Sequence, residues 1–323
     1  MERFLVTGAN GYIGSMIIRE LFEQAKKQNK EIEITGLVRN LQYINPKLPN
    51  ETLVKEVDIT DQAKMKCIVG EYDYIIHCAA STNSAVMKTN PIEVADGLVL
   101  GTRNVLELAK RLNIKSMVYL SSMEVYGRVK DNGRLRSEDD LGDIDLCKVR
   151  SCYPLGKRMA EHYCLLFCKE HGVPVKVARL AQIFGKGVKE EDNRVYMQFA
   201  RAVLEKRNIV LQTKGNSYGN YCSIDDALRG IFLILYAGKN GEIYNVVNEE
   251  STMTIREMAE FVAENIGEGY IKVEYESNSD IAAQYAVDTE LRMSAEKLRK
   301  LGWKPSKDLA GMYEDLIVEL GGL

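Results

Sequence analysis

FLVTGANGYIG, residues 4–14, carries an apolar run directly into three glycines, Gly8, Gly11 and Gly14. The apolar residues 4–6 are typical of a buried strand, and residues 12–22 have the apolar spacing of an amphipathic helix. Gly8 allows a tight turn, Gly11 lets the backbone approach a pyrophosphate, and Gly14 lets the helix pack closely on the strand. Free N–H groups at the start of such a helix favour an anion. The stretch predicts a dinucleotide-binding turn, and the alternative is a simple glycine-rich turn.

The composition is that of an ordinary globular chain. Hydrophobic residues make up 46% and charged residues 28% of the 323 residues, and the formal net charge is −3. This balance predicts no nucleic-acid partner, and no apolar run approaches the ~20 residues of a membrane span. The seven cysteines form no C-x-x-C pair, which is typical of thiols in a reducing compartment and predicts no metal site. Because no basic and apolar leader follows Met1, we expect a cytoplasmic protein.

Strand and helix patterns alternate through the first half of the chain. Strand patterns lie at residues 32–38, 52–57, 74–77, 116–120 and 173–177, and helical patterns at 61–69, 91–112 and 153–171. This alternation predicts an α/β fold with a Rossmann-type, doubly wound parallel sheet that binds its ligand at the carboxyl ends of the strands. From about residue 180 the elements become shorter. We therefore expect a dinucleotide-binding domain at residues 1–179 and a smaller C-terminal α/β substrate lobe at 180–323, with interleaved segments.

A second pattern, YPLGK at residues 153–157, places a tyrosine and a lysine one helical turn apart. On a helix Tyr153 and Lys157 share a face, so the ammonium favours the ionised phenol. A tyrosine titrates at about 10 in water, and a lower pKa would make it a general base near neutral pH. Ser122 follows a strand pattern and could hydrogen-bond the same substrate hydroxyl. Each residue alone occurs by chance, but together with the glycine turn they indicate redox chemistry on a hydroxyl group.

Eight motifs spread over nearly the whole chain resemble those of the extended short-chain dehydrogenase/reductase family, in its NAD-dependent epimerase/dehydratase group that acts on nucleotide sugars. They are VTGANGYIG at residue 6, DITD at 58, HCAA at 77, GTRNVLE at 101, SSMEVYG at 121, YPLGK at 153, IDDA at 224 and LGWKP at 301. The resemblance implies a Ser122, Tyr153 and Lys157 catalytic set that oxidises or epimerises C4 of a nucleotide-activated sugar. It also implies a homodimer formed through the helices at residues 91–112 and 153–171.

The resemblance assigns the binding contacts residue by residue. The cofactor set that it implies comprises Gly8, Asn10, Gly11, Tyr12, Ile13 and Gly14 at the pyrophosphate, Asp58 and Ile59 at the adenine, Ala79 and Ala80 toward the nicotinamide, and Tyr153 with Lys157 at the nicotinamide ribose. The substrate set comprises Ser81, Thr82, Gln182 and Arg292. The alternative for the isoleucines and alanines is a place in the core, and for Asp58 a turn.

The cofactor prediction depends on the end of the second strand. Where NAD-preferring members of the family have an acidic residue, this chain has Val38-Arg39-Asn40. Arg39 can pair with a 2′-phosphate, so we predict NADP, with NAD as the second choice. The alternative is that Arg39 is a solvated surface charge that tolerates NAD.

The reaction prediction depends on the residues after Ser122. Dehydratases of the family have Asp-Glu where this chain has Met123-Glu124. A thioether cannot donate the proton that a leaving hydroxide needs, which disfavours 4,6-dehydration. Glu124 stays a candidate acid or base, with a structural hydrogen bond as its alternative. The rival from another class is a non-catalytic NADP-binding regulatory protein, which has no chemical need for the complete catalytic set.

Two binding positions also depart from the family pattern. Leu98 replaces the usual Asn, and Gly219 lies near the usual position of an arginine that meets the substrate diphosphate. The candidate replacements for that arginine are Arg179, Gln182, Lys186, Arg194 and Arg292.

Overall fold

The structure, a computed structural model, describes residues 1–129, 133–276 and 289–321. It contains two compact units, each assembled from separate stretches of the chain. The first unit comprises Met1–Gly127, Asp143–Leu180 and Leu228–Tyr244. The second comprises Arg128–Gly142, Ala181–Ala227 and Asn245–Leu323.

A seven-stranded sheet forms the centre of the first unit. Its strands are β1 (Glu2–Thr7), β2 (Ile32–Val38), β3 (Leu53–Glu56), β4 (Tyr74–His77), β5 (Ser116–Ser122), β6 (Val175–Leu180) and a last strand, Ile243–Val246. The spatial order is β3, β2, β1, β4, β5, β6 and the last strand, and the pairs from β3 to β6 are parallel. The order reverses between β1 and β4, which is where doubly wound sheets bind ligands. The predicted Rossmann-type α/β fold is confirmed.

The helices of this unit begin and end at recognisable signals. They are α1 (Tyr12–Lys27), α2 (Gln62–Lys66), α3 (Ser84–Thr89), α4 (Pro91–Leu112) and α5 (Cys152–His171). The side chain of Asp61 caps α2, Pro91 opens α4, and Gly172 closes α5 in the left-handed region. Helix α2 is shorter than the pattern at residues 61–69 predicts. The sequence pattern missed α3, because its six residues are too few to show a helical period.

The second unit contains shorter elements. Strands Gln182–Phe184, Tyr218–Ser223 and Asn248–Thr254 form one sheet, and Ile209–Leu211 pairs with Val273–Tyr275. Its helices are Val195–Leu204, Ile255–Phe261, which continues as a π-helix over Val262–Ile266, Glu296–Arg299 and Leu309–Glu319. Helix Ile224–Ala237 begins in this unit and ends in the first.

The IDDA and LGWKP motifs meet inside the second unit. The carboxylate of Asp226 is completely buried and accepts hydrogen bonds from the backbone N–H groups of Ser306 and Lys307. The indole of Trp303 donates to the Asp226 carbonyl oxygen. These two motifs therefore stabilise the unit, which explains their residue types without a ligand.

Helices α4 and α5 pack on each other through apolar side chains. Val105, Leu108 and Phe167, which the sequence offered for a dimer face, are buried in the core of the first unit, and Tyr163 packs against that core. These side chains are therefore used inside the unit, and the homodimer stays a prediction. Among the described residues, no helix has the length and apolarity needed to cross a membrane.

Candidate active site

The glycine turn connects β1 to α1 and lies against the chain just after β4. Gly8 has φ +68°, which strains any residue with a side chain. A Cβ atom added at Gly8 would lie 2.8 Å from the backbone N and Cα atoms of Ala79, just beyond β4. A Cβ atom added at Gly14 would overlap the Gly8 carbonyl oxygen. Both glycines are therefore required by close backbone approach, as the sequence predicts.

The start of α1 has the features of an anion site. Gly11 is its N-cap residue in extended conformation, and in the described part of the chain no side chain caps it. Gly11 is exposed, Tyr12 and Ile13 are half-buried, and the first turn contains no acidic residue. A helix start with this backbone fits the diphosphate of a dinucleotide.

Asn10 ties the segment after β2 to this turn. Its Nδ2 atom donates to the Tyr43 carbonyl oxygen at 2.5 Å, and its Oδ1 atom accepts from the Asn45 N–H at 3.0 Å. The side chain therefore contacts protein backbone on both sides. These bonds hold the segment against the glycine turn, and the contact of Asn10 with a cofactor stays a prediction.

A buried hydrogen-bond chain fixes the switch point of the sheet. His77, the last residue of β4, is completely buried. Its Nδ1 atom lies 2.7 Å from Thr7 Oγ1, and its Nε2 atom lies 3.0 Å from Thr102 Oγ1. The Ala79 N–H donates to the same Thr7 hydroxyl at 3.1 Å. Burial and the nearby Lys157 ammonium lower the pKa of His77 to about 3, so its ring is neutral at pH 7.

The neutral His77 predicts a pH dependence of stability. Between pH 6.5 and about 3 the unfolded chain binds a proton that the folded chain does not, so the free energy of unfolding falls as the pH falls. We expect His77→Gln to be less stable than the wild type at pH 7. As the pH falls over this range, however, its free energy of unfolding should decrease by on the order of 4 kcal/mol less than that of the wild type. Urea unfolding at several pH values measures this. His162→Gln provides the control, because it replaces an exposed histidine outside this buried hydrogen-bond chain. If the free energy of unfolding of His77→Gln fell with pH as steeply as that of the wild type, the pH dependence would not arise from His77.

The predicted adenine residues sit on a turn held by the GTRN motif. Asp58 accepts hydrogen bonds from the N–H and hydroxyl of Thr60, and Asn104 donates to the Ile59 carbonyl oxygen at 2.9 Å. A Cβ atom at Gly101 would lie 2.6 Å from Ile59 Cδ1. The motif therefore holds this loop against α4, and the adenine role of Asp58 and Ile59 stays a prediction.

The three predicted catalytic residues lie on two neighbouring elements. Ser122 ends β5 and caps the short 3₁₀ turn Met123–Tyr126. Tyr153 is 4% exposed near the start of α5, where its side chain packs in one cluster with Met87 and Leu98. Leu98, which replaces the family's Asn, therefore supplies an apolar contact to this tyrosine.

Lys157 lies between Tyr153 and the end of β5. Its Nζ atom donates to the Leu120 carbonyl oxygen at 2.6 Å and lies 5.9 Å from the centre of the Tyr153 ring. The side chain is 3% exposed. Burial lowers the pKa of Lys157 to about 8, although the charge of Glu161 opposes this effect. The ammonium is therefore predominantly charged at pH 7 and close to the phenol.

Glu124 is engaged in an ion pair. Its two carboxylate oxygens accept from Arg150 Nη1 at 2.6 Å and Nη2 at 2.9 Å. Arg150 lies three residues before Tyr153, so this pair connects the turn after Ser122 to the start of α5. The contact supplies the structural role that the sequence left open, and a role in proton transfer stays a prediction.

The predicted substrate residues are distributed between the two units. Ser81 and Thr82 follow Ala80 in the loop between β4 and α3. Gln182 and Arg292 belong to the second unit, where Gln182 pairs with Tyr221 in a sheet. Arg292 donates to the Tyr218 hydroxyl at 2.5 Å and stacks on its ring.

Three of the cations proposed for the diphosphate have carboxylate partners. Arg179 is 2% exposed and paired with Glu161, so it does not reach the surface. Lys186 pairs with Asp225, and Arg194 with Asp192. The proposal of Arg179 as a diphosphate contact is therefore wrong, because its guanidinium is buried and paired with the Glu161 carboxylate.

Arg39, the basis of the NADP prediction, also forms an ion pair. Its Nη1 atom lies 2.5 Å from Glu93 Oε1, in the first turn of α4. Both side chains are more than half exposed. A 2′-phosphate would therefore meet a guanidinium with a carboxylate beside it.

A sequence model of the NAD dependent epimerase/dehydratase family matches residues 4–247. The chain belongs to this family. The resemblance inferred from the motifs is thereby confirmed. Among curated relatives of this family member, UDP-glucuronic acid decarboxylase 6 of Arabidopsis thaliana is 29% identical over 326 aligned residues, covering 99% of this chain and 90% of the relative. A dTDP-glucose 4,6-dehydratase of Streptomyces antibioticus is 26% identical and covers 95% of this chain and 88% of the relative.

Solved structures show the same fold as this family member. UDP-glucose 4-epimerase of Thermotoga maritima, solved with UDP-glucose, superposes with a TM-score of 0.84 at 21% identity, covering 99% of this chain and 98% of that one. A dTDP-glucose 4,6-dehydratase of Streptomyces venezuelae, solved with NAD, has a TM-score of 0.79 at 22% identity, with 97% and 95% covered. At these identities the likeness establishes the fold, and the reaction has to be argued from the site.

Proposed function

We propose that this epimerase/dehydratase-family protein oxidises the C4 hydroxyl of a nucleotide-activated sugar with a nicotinamide dinucleotide as hydride acceptor. One observation carries the proposal: the buried Lys157 ammonium lies 5.9 Å from the centre of the Tyr153 ring and donates to the Leu120 carbonyl oxygen, on the strand that ends in Ser122. Strand β5, which ends in Ser122, is the immediate neighbour of β4, whose end meets the glycine turn. A regulatory nucleotide sensor would not need this arrangement of base, cation and hydroxyl.

Each side chain has a defined part in the proposed oxidation. Ser122 hydrogen-bonds the substrate hydroxyl and orients it. Tyr153 removes the hydroxyl proton, and the ammonium of Lys157 stabilises the phenolate that must form first. The apolar contacts of Met87 and Leu98 exclude water from one side of the ring. The dinucleotide, bound at the turn of Gly8, Gly11 and Gly14, supplies the hydride acceptor.

The 4-keto sugar can then follow several routes. Return of the hydride to the opposite face gives the C4 epimer, and net reduction of a 4-keto sugar is the same chemistry run backwards. Loss of water requires a proton donor for the leaving hydroxide, and the thioether of Met123 cannot serve as one.

Decarboxylation is the second candidate, and two observations favour it. In a uronic acid the C4 ketone is β to the C6 carboxylate, so carbon dioxide leaves as its bonding electron pair moves into the carbonyl group. This step needs no acid at the position of Met123. It is also the reaction named for UDP-glucuronic acid decarboxylase 6 of Arabidopsis thaliana, which is 29% identical over 99% of this chain.

Product analysis tests the proposed function and separates the candidates. The protein is incubated with UDP-glucuronic acid, UDP-glucose or dTDP-glucose in the presence of NAD or NADP, and products are resolved by liquid chromatography and mass spectrometry. We expect either an epimer of unchanged mass or a product that has lost carbon dioxide. If the protein bound cofactor and nucleotide sugar but formed no product and no reduced cofactor, the proposed enzymatic function would be refuted. That result would support a non-catalytic regulatory role.

Cofactor choice is part of the proposal. NADP, predicted from Arg39, stays a prediction, while the Glu93 carboxylate beside Arg39 supports NAD because it repels a 2′-phosphate. NAD in the solved dehydratase relative is consistent with this. NAD is therefore the first cofactor to test.

A substitution at Glu93 measures this repulsion. We expect Glu93→Gln to raise NADP affinity by up to about fivefold, the range of an exposed ion pair, and to leave NAD affinity unchanged. Fluorescence titration with the reduced cofactors measures both affinities. Asp96→Asn, one turn further along α4 and also exposed, is the control for net charge. Equal changes for both cofactors, or the same gain in Asp96→Asn, would contradict a local effect of Glu93.

A further inference from the structure

A second buried ion pair lies directly behind the catalytic lysine. Glu161 follows Lys157 by one helical turn, so Tyr153, Lys157 and Glu161 form one stripe along α5. Glu161 is 6% exposed and Arg179 is 2% exposed. Arg179 Nε and Nη2 lie 2.9 and 2.7 Å from the Glu161 carboxylate oxygens. The contact is bidentate, the geometry in which an arginine and a carboxylate interact most strongly.

The same pair holds both sides of Ser122. The hydroxyl of Ser121, the residue before it, donates to Glu161 Oε1 at 2.5 Å. The guanidinium of Arg179 lies 5.1 Å from the centre of the Tyr126 ring, at the end of the turn that follows Ser122. The ion pair therefore contacts side chains on both sides of Ser122 along the chain, and loss of the pair removes both contacts.

Glu161, one helical turn from Lys157, is also the carboxylate whose charge raises the pKa of that lysine. The other titratable groups around Lys157 are neutral at pH 7: His77, whose pKa burial lowers to about 3, Cys78, whose pKa burial raises to about 12, and Tyr119 and Cys164, whose pKa values burial also raises. Tyr153 completes the surroundings from α5. The charge of Glu161 thus opposes the burial that drives Lys157 toward its neutral form.

We propose that Glu161 and Arg179 are positioning residues of the active site: the Glu161 carboxylate keeps Lys157 protonated, and Arg179 balances that carboxylate while it anchors the turn after Ser122. Both side chains are more than nine-tenths buried, so we assign them no direct contact with substrate or cofactor. The inference rests on the proposed function, because it assigns the pair to the lysine that stabilises the Tyr153 phenolate. Without the pair, Lys157 would be a cation in a buried site with no adjacent anion, which favours loss of its proton.

The two members of the pair should have opposite effects on Lys157. Glu161→Gln removes the anion and leaves Arg179 as a second cation, so the pKa of Lys157 should fall by about 1 or more. Arg179→Met leaves the carboxylate to Lys157 alone, so the pKa should rise. If the pair had only a structural role, both variants would lose stability, and the pKa of Lys157 would not shift in opposite directions in the two variants.

The measurement is a pH titration of the Lys157 Cε resonance in lysine-labelled protein, assigned by its absence in Lys157→Met. Lys176→Met is the matched control. Lys176 is a buried lysine on β6, three residues before Arg179, and its Nζ atom donates to Ser116 Oγ at 2.7 Å. Residues three apart on a strand point to opposite faces, so this variant should lose stability and leave the pKa of Lys157 unchanged.

Three results would overturn the proposal: an unchanged pKa in Glu161→Gln, shifts in the same direction in Glu161→Gln and Arg179→Met, or an equal shift in Lys176→Met. If Glu161→Gln does not fold, the double variant Glu161→Gln/Arg179→Met removes both charges of the ion pair, so that neither partner is left without the other. The pKa of Lys157 should still fall, because Glu161 lies one helical turn from Lys157 and acts on it more strongly than Arg179 does, and an unchanged value overturns the proposal.

The pH profile of turnover supplies an independent functional test. For the wild type, we expect kcat/KM to decline as Lys157 loses its proton near pH 8, and this limb should move to lower pH in Glu161→Gln. The resonance titration needs no turnover. If the wild type turns over none of the sugars, the proposed function fails, while the titration still decides the role of the ion pair.

Discussion

Tyr153→Phe should reduce turnover by about 10² to 10⁴-fold, the usual contribution of a positioned general base. The ring is 4% exposed and packs with Met87 and Leu98, and phenylalanine keeps these apolar contacts. Folding and cofactor affinity should therefore stay close to those of the wild type. Steady-state kinetics with the best nucleotide sugar, together with a cofactor titration, measure both quantities.

Tyr163→Phe is the matched control for that substitution. Tyr163 lies on the same helix, and its ring packs against Phe167 rather than along the stripe of Tyr153, Lys157 and Glu161. It should retain full activity. Wild-type turnover in Tyr153→Phe would refute the proposed base, and a loss confined to cofactor affinity would assign the hydroxyl to binding.

Gly14→Ala should weaken cofactor binding more than the loss of any single polar contact does. Its Cβ atom would overlap the Gly8 carbonyl oxygen, which is backbone and cannot move without opening the turn. We expect cofactor affinity to fall by about tenfold or more and the free energy of unfolding to fall by about 1–3 kcal/mol, the usual cost of forcing an atom into a packed site.

Gly97→Ala is the control for a glycine replaced inside a helix. Gly97 lies in α4, and apart from the nearby backbone of that helix, a Cβ atom there would have no neighbour within 4 Å in the described part of the chain. This variant should be stabilised by about 0.5–1 kcal/mol and bind cofactor as the wild type does. Isothermal titration calorimetry and urea unfolding test both variants. Normal affinity in Gly14→Ala would contradict the assignment of the turn.

The parts of the fold that were predicted from sequence depend on local chemistry. The glycine turn, α4 and β4 carry their signals in neighbouring residues. These signals are a glycine at position 8, where the structure has a positive φ, a proline at the start of α4, and a short apolar run in β4. The same holds for Tyr153 and Lys157, because one helical turn places them on one face. The family resemblance then supplied the roles of residues whose spacing alone is uninformative.

The contacts that escaped prediction join residues far apart in sequence. Arg39 pairs with Glu93, Arg150 with Glu124, and Arg179 with Glu161. A charged residue has many candidate partners, and no periodicity selects one of them. The sequence makes Arg179 a candidate for substrate binding, because exposed and buried arginines look alike in a sequence. Its place inside β6, beside Ser121 of β5, gives it a buried partner.

Reduction of the bound nicotinamide by a sugar deuterated at C4 tests the central claim most directly. The protein, loaded with NAD or NADP, is mixed in a stopped-flow instrument with UDP-glucuronic acid or UDP-glucose, and the absorbance of reduced nicotinamide is followed. The account predicts a transient rise that is slower for the C4-deuterated sugar than for the unlabelled one and absent in Tyr153→Phe. Binding of both ligands without reduction, or an isotope effect only from another carbon, would contradict it.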